Sequence, residues 1–328
     1  MKLDSVRSLK QELIARGELS SFPLSAASAK AGSATPSALP NSQPVSPLAI
    51  GVSGSDGDYR LAIRVFALTP GIQATLDRIS EAAAGEVGIQ LVGSVVKQQP
   101  WHQQQNRPLR IGGSVGFVPA GYTMAGTLGA FVLSANGDGF MILSNNHVLA
   151  DENRLPIGSD IVQQGTLDGG QAPVDVVAEL HSFVPLYANR LNLVDAAVAR
   201  LANGALAQPG LLTDLGQLGG VRETPLTDLE PVFKIGRTTG RRKGRISAFE
   251  LDGVRVRYDM GHLVFNDQIE IEPDPEEGGP FSLGGDSGSL IVDQDLRAVG
   301  LLFAGNDFDK TYANPIGPVL SALQVTLA

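Results

Sequence analysis

Leu283-Gly284-Gly285-Asp286-Ser287-Gly288-Ser289-Leu290-Ile291-Val292 sets a serine in a glycine-rich turn directly before an apolar strand. A serine hydroxyl is a poor nucleophile until its proton has an acceptor and its developing oxyanion has donors. Flanking glycines let the backbone turn sharply and come close to a substrate. In such a turn the N–H groups of Gly285 and Ser287 can point at one spot, as an oxyanion hole requires. Taken alone, a Gly-Asp-Ser-Gly stretch reads equally well as a hairpin turn.

Two segments upstream change that balance. Phe140-Met141-Ile142-Leu143-Ser144-Asn145-Asn146-His147-Val148-Leu149-Ala150 places His147 just after an apolar strand, though a lone histidine there is also read as a hydrogen-bonded core residue. Leu193-Val194-Asp195-Ala196-Ala197-Val198-Ala199 sets Asp195 between apolar neighbours at a strand start. A carboxylate there is costly to desolvate unpaired, and an imidazole N–H would partner it. Asp151 and Asp175 are its rivals for that place. From Ile111 onward, short apolar strands alternate with Gly, Pro, Asn and Asp. They read as Gly129–Leu133, Phe140–Leu143, Val174–Leu180, Val194–Val198, Pro231–Ile235, Gly244–Phe249, Val254–Tyr258, Ile269–Ile271, Leu290–Val292 and Ala298–Phe303. Such spacing predicts an all-β barrel or sandwich, with a short closing helix over Pro318–Leu323.

His, Asp and Ser in that order, within one all-β domain, resemble the trypsin-like serine peptidases. SNNHVLA looks like their histidine motif, VDAAVA like their aspartate strand and GGDSGSLIV like their nucleophile loop. The resemblance spans 111–328 and implies a mainly β fold, the trypsin-like double β-barrel, with serine endopeptidase activity. It implies Ser287 as nucleophile, His147 as general base and acid, Asp195 as its orienting carboxylate, and the Gly285 and Ser287 N–H groups as the oxyanion hole. GTLGAFV, IVQQGTLDGG, KIGRTTGRRKGRI, FSLGGDSGS and YANPIGPVL further resemble bacterial relatives of the plant Narrow Leaf trypsin-like proteases. Residues 48–97 are similar to the region before the peptidase in that group. The chain departs from the secreted digestive enzymes in having no cysteine, no activation-cleavage motif and a long N-terminal extension. Those departures argue against activation by insertion of a new N-terminus.

The same resemblance puts the wall of the substrate pocket at Phe281-Ser282-Leu283 and at Leu302, Phe303, Ala304 and Gly305, with Ala313 and Asn314 on its far side. No acidic residue stands six or seven places before Ser287, where selection of Arg or Lys would want one. Phe281 at that place favours an apolar or small P1 residue.

Composition is consistent with this reading. Charged residues are 18% and glycines number 39, a texture of tight turns between short strands. The net charge of −9 and the pI of about 5.0 argue against sequence-general nucleic-acid binding. The absence of cysteine removes disulfides and thiolate zinc sites, and the four histidines (His102, His147, His181 and His262) have no zinc-motif spacing. No cofactor or metal is expected. No segment reaches the ~18 apolar residues of a membrane span, and Met1–Leu19 has no apolar stretch of the secretory type, so a cytoplasmic protein is expected.

Ahead of the peptidase region, Leu3, Val6, Leu9, Leu13 and Ile14 predict an amphipathic helix over 3–16, within an N-terminal element 1–18, with Asp4 as its cap. It is expected to dock on its own or a neighbouring subunit, or to recruit a partner. Residues 19–47 are Ser/Ala/Pro-rich and read as a flexible linker. Residues 48–97 read as a small β-β-α-β module for packing, regulation or assembly, and 98–110 as a polar connector. Homo-oligomerisation through this N-terminal region is left open. Arg237–Lys243 reads as a solvated basic hairpin, and Glu270–Glu277 as an acidic solvent loop or a border of the substrate cleft. Two alternatives to a peptidase acting on protein or peptide substrates share the fold. One is a catalytically silent binding or scaffold protein; the other confines cleavage to the chain itself.

Overall fold

The computed structural model describes residues 1–17, 47–93, 99–134, 139–306 and 308–328. The expected linker over 19–47 lies outside the described residues apart from its last position, as do 94–97 of the expected module and 98 of the connector. The chain divides into two units, Met1–Gln98 and Gln99–Ala328.

In the first unit, β1 (Leu48–Ser55) and β2 (Asp58–Val65) form an antiparallel hairpin, and β3 (Val87–Leu91) pairs parallel to β2. A parallel neighbour needs a crossover, and α2 (Pro70–Ala82) supplies it. Thr69 caps α2 by accepting from the Ile72 N–H at 3.3 Å, and Pro70 fits the first turn, which has no use for its missing N–H. Leu61, Ile63 and Val65 alternate onto one sheet face, where α1 (Leu3–Ala15) inserts Val6 and Leu13 beside Ile72, Leu76 and Ile79 of α2. The N-terminal helix is thus a working part of this unit's core. Asp4 does not cap it: the cap position is Lys2, whose side chain makes no capping bond, and Asp4 stands in the first turn.

The second unit is mainly β. Its first half holds β4 (Ser114–Phe117), β5 (Gly126–Thr127), β6 (Ala130–Ser134), β7 (Phe140–Ser144), α3 (Asn146–Leu149), β8 (Asp160–Val162), β9 (Val176–Phe183), β10 (Leu191–Asn192) and β11 (Ala197–Leu201). Two short strands, β12 (Leu211–Leu212) and β13 (Gly216–Gln217), pair with each other. The second half runs through β14 (Pro231–Gly236), β15 (Gly240–Leu251), β16 (Val254–Tyr258), β17 (Gly261–Phe265), β18 (Gln268–Pro273), β19 (Leu290–Val292), β20 (Ala298–Gly305), β21 (Thr311–Pro315), α4 (Ile316–Leu323) and β22 (Val325–Leu327).

The strands build a closed barrel in the order β14-β15-β18-β21-β20-β19 and an eight-stranded half-barrel in the order β22-β6-β7-β11-β9-β8-β4-β5. This is the double-barrel architecture the motifs imply. Pairing of β19 with β14 leaves the closed barrel no edge. After α4 the chain returns, and β22 pairs with β6, tying the last residues to the half-barrel. A three-stranded sheet, β10-β17-β16, is added outside both barrels. Among the described residues no helix is long and apolar enough to cross a membrane.

The charged segments pair with each other. Arg245 faces Glu272 across β15 and β18, with Nε to Oε1 at 2.6 Å. Lys243 meets Asp274 at 2.8 Å and Arg241 meets Glu277 at 3.4 Å. Arg241 and Lys243 of the basic hairpin thus meet the acidic run, whose first part is strand β18 rather than a loop. Arg237, expected in the solvated hairpin, is instead largely buried against Asp168, with Nε to Oδ2 at 2.8 Å.

Candidate active site

His147 stands on α3, a single helical turn that follows β7. Asp195 lies two residues before β11, so the strand expected over Val194–Val198 starts later and leaves Asp195 in the preceding loop. The β7–β11 pairing brings Ala197 opposite Ser144, so the two loops at that end of the sheet meet. His147 Nδ1 donates to Asp195 Oδ2 at 2.6 Å. The rivals stand elsewhere: Asp151 pairs with Arg154, and Asp175 accepts from Gln171 N and Gln105 Nε2.

The Asp195 carboxylate is fully buried and accepts four bonds. Besides His147 Nδ1, its donors are Asn146 N at 2.7 Å, His147 N at 3.3 Å and Tyr258 Oη at 2.6 Å. Asp195 N donates to Asn314 Oδ1 at 2.9 Å, and Asn145 Nδ2 donates to Asp195 O at 2.7 Å. A buried carboxylate so surrounded has every bond satisfied and keeps its orientation. Burial alone would push the His147 imidazole down, but the Asp195 carboxylate beside it, with a smaller contribution from Glu152, holds it above its ordinary value.

Ser287 is half-buried in the loop before β19. Thr127 grips that loop: its N–H donates to Ser287 O at 2.8 Å and its hydroxyl to Gly285 O at 3.0 Å. Gly285 and Gly288 both have positive φ, 93° and 92°, as the turn requires. At Gly288 a Cβ would strike Ser144 Oγ and Thr127 O, so only glycine lets the loop lie against the strand that leads to His147. A Cβ on Gly126 would meet both the Val148 side chain and Ser287 O, which places the serine beside the histidine turn. No hydrogen bond joins Ser287 Oγ to His147 among the described residues. The N–H groups of Gly285 and Ser287 have no acceptor among the described residues either.

Between those two N–H groups, Asp286 turns inward. Its carboxylate accepts from Thr238 N at 2.8 Å, Thr239 N at 3.1 Å, Thr239 Oγ1 at 2.8 Å and Leu283 N at 3.0 Å. Lys234 Nζ completes the set at 3.0 Å, with both side chains fully buried. Burial pushes the Lys234 ammonium down, and Asp286 opposes that shift. Lys234 also donates to Thr239 Oγ1 and lies over the Phe281 ring.

Beside Ser287 opens a cavity of about 650 Å³. Phe281, Leu302, Ala304 and Gly305 line it, together with Ser282 and Thr311, whose hydroxyls share a hydrogen bond at 2.6 Å. Phe303 does not line it. On a strand neighbouring side chains take opposite faces, and Phe303 packs against Phe265 at 4.7 Å in a separate cluster with Tyr258. Ala313 is in the closed-barrel core, and Asn314 holds the Asp195 backbone in place of forming a pocket wall. Exposed Leu283 and Phe308 add apolar surface to the lining.

Sequence reasoning missed Tyr258 and Lys234 as parts of this arrangement and gave Asn314 a pocket-wall role in place of its bond to Asp195 N. For Lys234 a signal existed: a lysine inside the apolar run Val232-Phe233-Lys234-Ile235 needs a buried partner. Tyr258 carried none, because it reads simply as the end of an alternating strand.

No protein-family model and no curated protein matches the sequence. Solved structures similar to the chain include Protease A of Thermobifida fusca, at 18% identity over 66% of this chain and 97% of that one, with a TM-score of 0.46. A chymotrypsin of Cellulomonas bogoriensis is 17% identical over 66% and 97%, with a TM-score of 0.44. A Nocardiopsis protease is 16% identical over 66% and 97%, with a TM-score of 0.46.

Proposed function

We propose that the chain is a serine endopeptidase that cleaves protein or peptide substrates through an acyl-enzyme. The observation that carries the reading is the 2.6 Å bond between His147 and the fully buried Asp195, beside a glycine-turned loop that presents Ser287. Ser287 Oγ attacks the scissile carbonyl carbon as its proton passes to His147 Nε2. The imidazolium then protonates the leaving amine, and water repeats the sequence to release the acid. Asp195 fixes the tautomer with its proton on Nδ1 and stabilises the imidazolium. The N–H groups of Gly285 and Ser287 receive the oxyanion, each donor contributing about 10²–10³ in rate. The Ser287–His147 bond forms when substrate is bound, as catalytic bonds in empty sites commonly do.

An apolar or small P1 side chain suits the pocket. Phe281 fills the place where a carboxylate would select a cationic residue. Lys310, a charged residue of the lining, is already paired with Glu272 at 3.1 Å and Glu270 at 3.4 Å. The kinship with bacterial relatives of the Narrow Leaf proteases belongs to the same proposal. It is supported by the KIGRTTGRRKGRI stretch, which contributes Lys234, Thr238 and Thr239 to the cradle of Asp286. A cytoplasmic place accords with a chain that has no cysteine.

Labelling with a fluorophosphonate probe tests this reading. Wild type should label at Ser287 and Ser287→Ala should not, and peptide-library profiling should then give cleavage after apolar or small residues. A folded wild type that never labels would defeat it in favour of a silent binding protein. Strict cleavage after Arg or Lys would defeat the pocket assignment alone.

A further inference from the structure

The β16–β17 hairpin belongs to neither barrel, yet its last residue before the turn reaches the centre of the site. Tyr258 Oη donates to Asp195 Oδ2 at 2.6 Å, the same oxygen that receives His147 Nδ1. Its ring also stands edge-on to the His147 ring, with centroids 5.9 Å apart and planes at 79°. Beneath it, Tyr258 stacks on Phe265 at 6.0 Å, and Phe265 packs tilted against Phe303 at 4.7 Å, which supports the phenol from below. Among the described residues, His147 and Tyr258 are the two side chains that donate to this carboxylate.

The hairpin is fastened at its tip as well. Glu152 accepts from Asp259 N and from Met260 N, each at 2.9 Å, one bond to each carboxylate oxygen. Arg154 adds a bond to Asp259 Oδ2 at 3.1 Å. Glu152 belongs to the turn directly after the histidine helix, where Asp151, Glu152 and Asn153 all have positive φ of 47°, 53° and 71°. Three such non-glycine residues in a row persist only where their surroundings hold them. Here Asn153 N donates to Asn146 Oδ1 at 3.0 Å, and Asn146 Nδ2 returns a bond to Asn153 Oδ1 at 2.8 Å. The turn is therefore anchored to the residue beside His147 at one end and to the hairpin tip at the other.

We infer that Tyr258 is a positioning residue for the His147–Asp195 pair, delivered by an accessory hairpin that Glu152 clips to the turn after the histidine. The inference rests on the peptidase reading for its consequence in rate, but not for the contact itself. Burial and the adjacent carboxylate push the Tyr258 phenol well above its ordinary value, so it stays protonated and remains a donor. As a donor it drains charge from Asp195. Burial lowers the His147 titration while Asp195 and Glu152 raise it, and Tyr258 reaches it through its bond to Asp195.

The test replaces only the hydroxyl. Tyr258→Phe keeps the stacked ring, leaves more charge on Asp195, and should move the His147 titration upward when followed by NMR of its ring in the folded protein. 3-Fluorotyrosine at 258, a stronger donor, should move it downward. Fluorophosphonate labelling of Tyr258→Phe should slow by on the order of ten-fold, the loss expected of one hydrogen bond to a charged group. Glu152→Ala should speed hydrogen exchange at the Asp259 and Met260 amides and slow labelling in the same sense. An unchanged His147 titration in both Tyr258 variants would overturn the inference, whatever the enzyme does. Unprotected Asp259 and Met260 amides already in wild type would overturn the clip. A wild type that never labels, with the titration shifts present, would end the peptidase reading and with it the rate consequence, while the contact stands.

Discussion

His147 gives the site its pH dependence. Its side chain is 24% exposed and its partner carboxylate is fully buried, so the Coulombic attraction acts with little screening. Burial opposes the charged imidazole, yet Asp195 outweighs it and the folded value lies above 6.5. A group raised on folding contributes stability that is complete below its unfolded value and is lost as pH rises through the folded value. The second unit should therefore lose stability as pH climbs from 6.5 through the raised value. Labelling at Ser287, which needs the neutral imidazole, should rise over the same window. Urea unfolding of wild type against His147→Gln across that range isolates the effect, since the variant lacks the slope. A difference between the two proteins that stays constant with pH would refute it. The residue types of the site are legible in the sequence: a serine in a glycine-rich turn, a histidine after an apolar strand, and an aspartate among alanines and valines. Their hydrogen-bond partners are not. Tyr258 is 63 residues from Asp195 and Asn314 is 119 residues away, and a distance in sequence carries no sign of which polar atoms will meet.

Elements were legible where one face is buried and the other wet, because the alternation then declares itself. β2, the middle of β15 over Gly244–Phe249 and the middle of β18 over Ile269–Ile271 read this way, and α2 reads as a helix from Pro70. Strands that pass unseen are short or polar: β21 carries Thr311 and Asn314 inward, and the register of β17 depends on a hairpin partner. Asp195 fell outside its expected strand because the apolar run 194–198 continues through a loop that is itself buried. One consequence belongs to this scale. Lys234 projects from β14 into the nucleophile loop, so a strand of the closed barrel and the turn that carries Ser287 are joined through one fully buried ion pair. Removing one member of such a pair leaves the other charged and dry, at a cost of about 3–5 kcal/mol. Lys234→Met should lower the unfolding free energy of the second unit by that amount and slow Ser287 labelling, because Asp286 separates the two N–H donors. Stability within about 1 kcal/mol of wild type, the range of an exposed pair, would mean that the backbone donors alone hold the loop.

At the scale of the whole chain, two cores are built from different residues. Val6 to Ile79 supply the buried residues of the first, and among the described residues the clusters of the second unit draw on Trp101 and residues from Leu109 onward. Every group assigned to the chemistry, from His147 through Asp195 and Tyr258 to Asp286 and Ser287, lies in Gln99–Ala328. The second unit closes its own barrel and ties its last strand, β22, back to β6. A chain beginning at Gln99 should therefore fold, label at Ser287 within a few-fold of the full chain's rate, and unfold in a single transition. The full chain should show two, since cores without shared residues have no reason to melt together. If instead the shortened chain folds but fails to label, the helix and β-β-α-β module would be an obligatory cofactor of the site in trans. Restoring the rate by adding residues 1–98 as a separate chain would then distinguish a regulator from a folding aid.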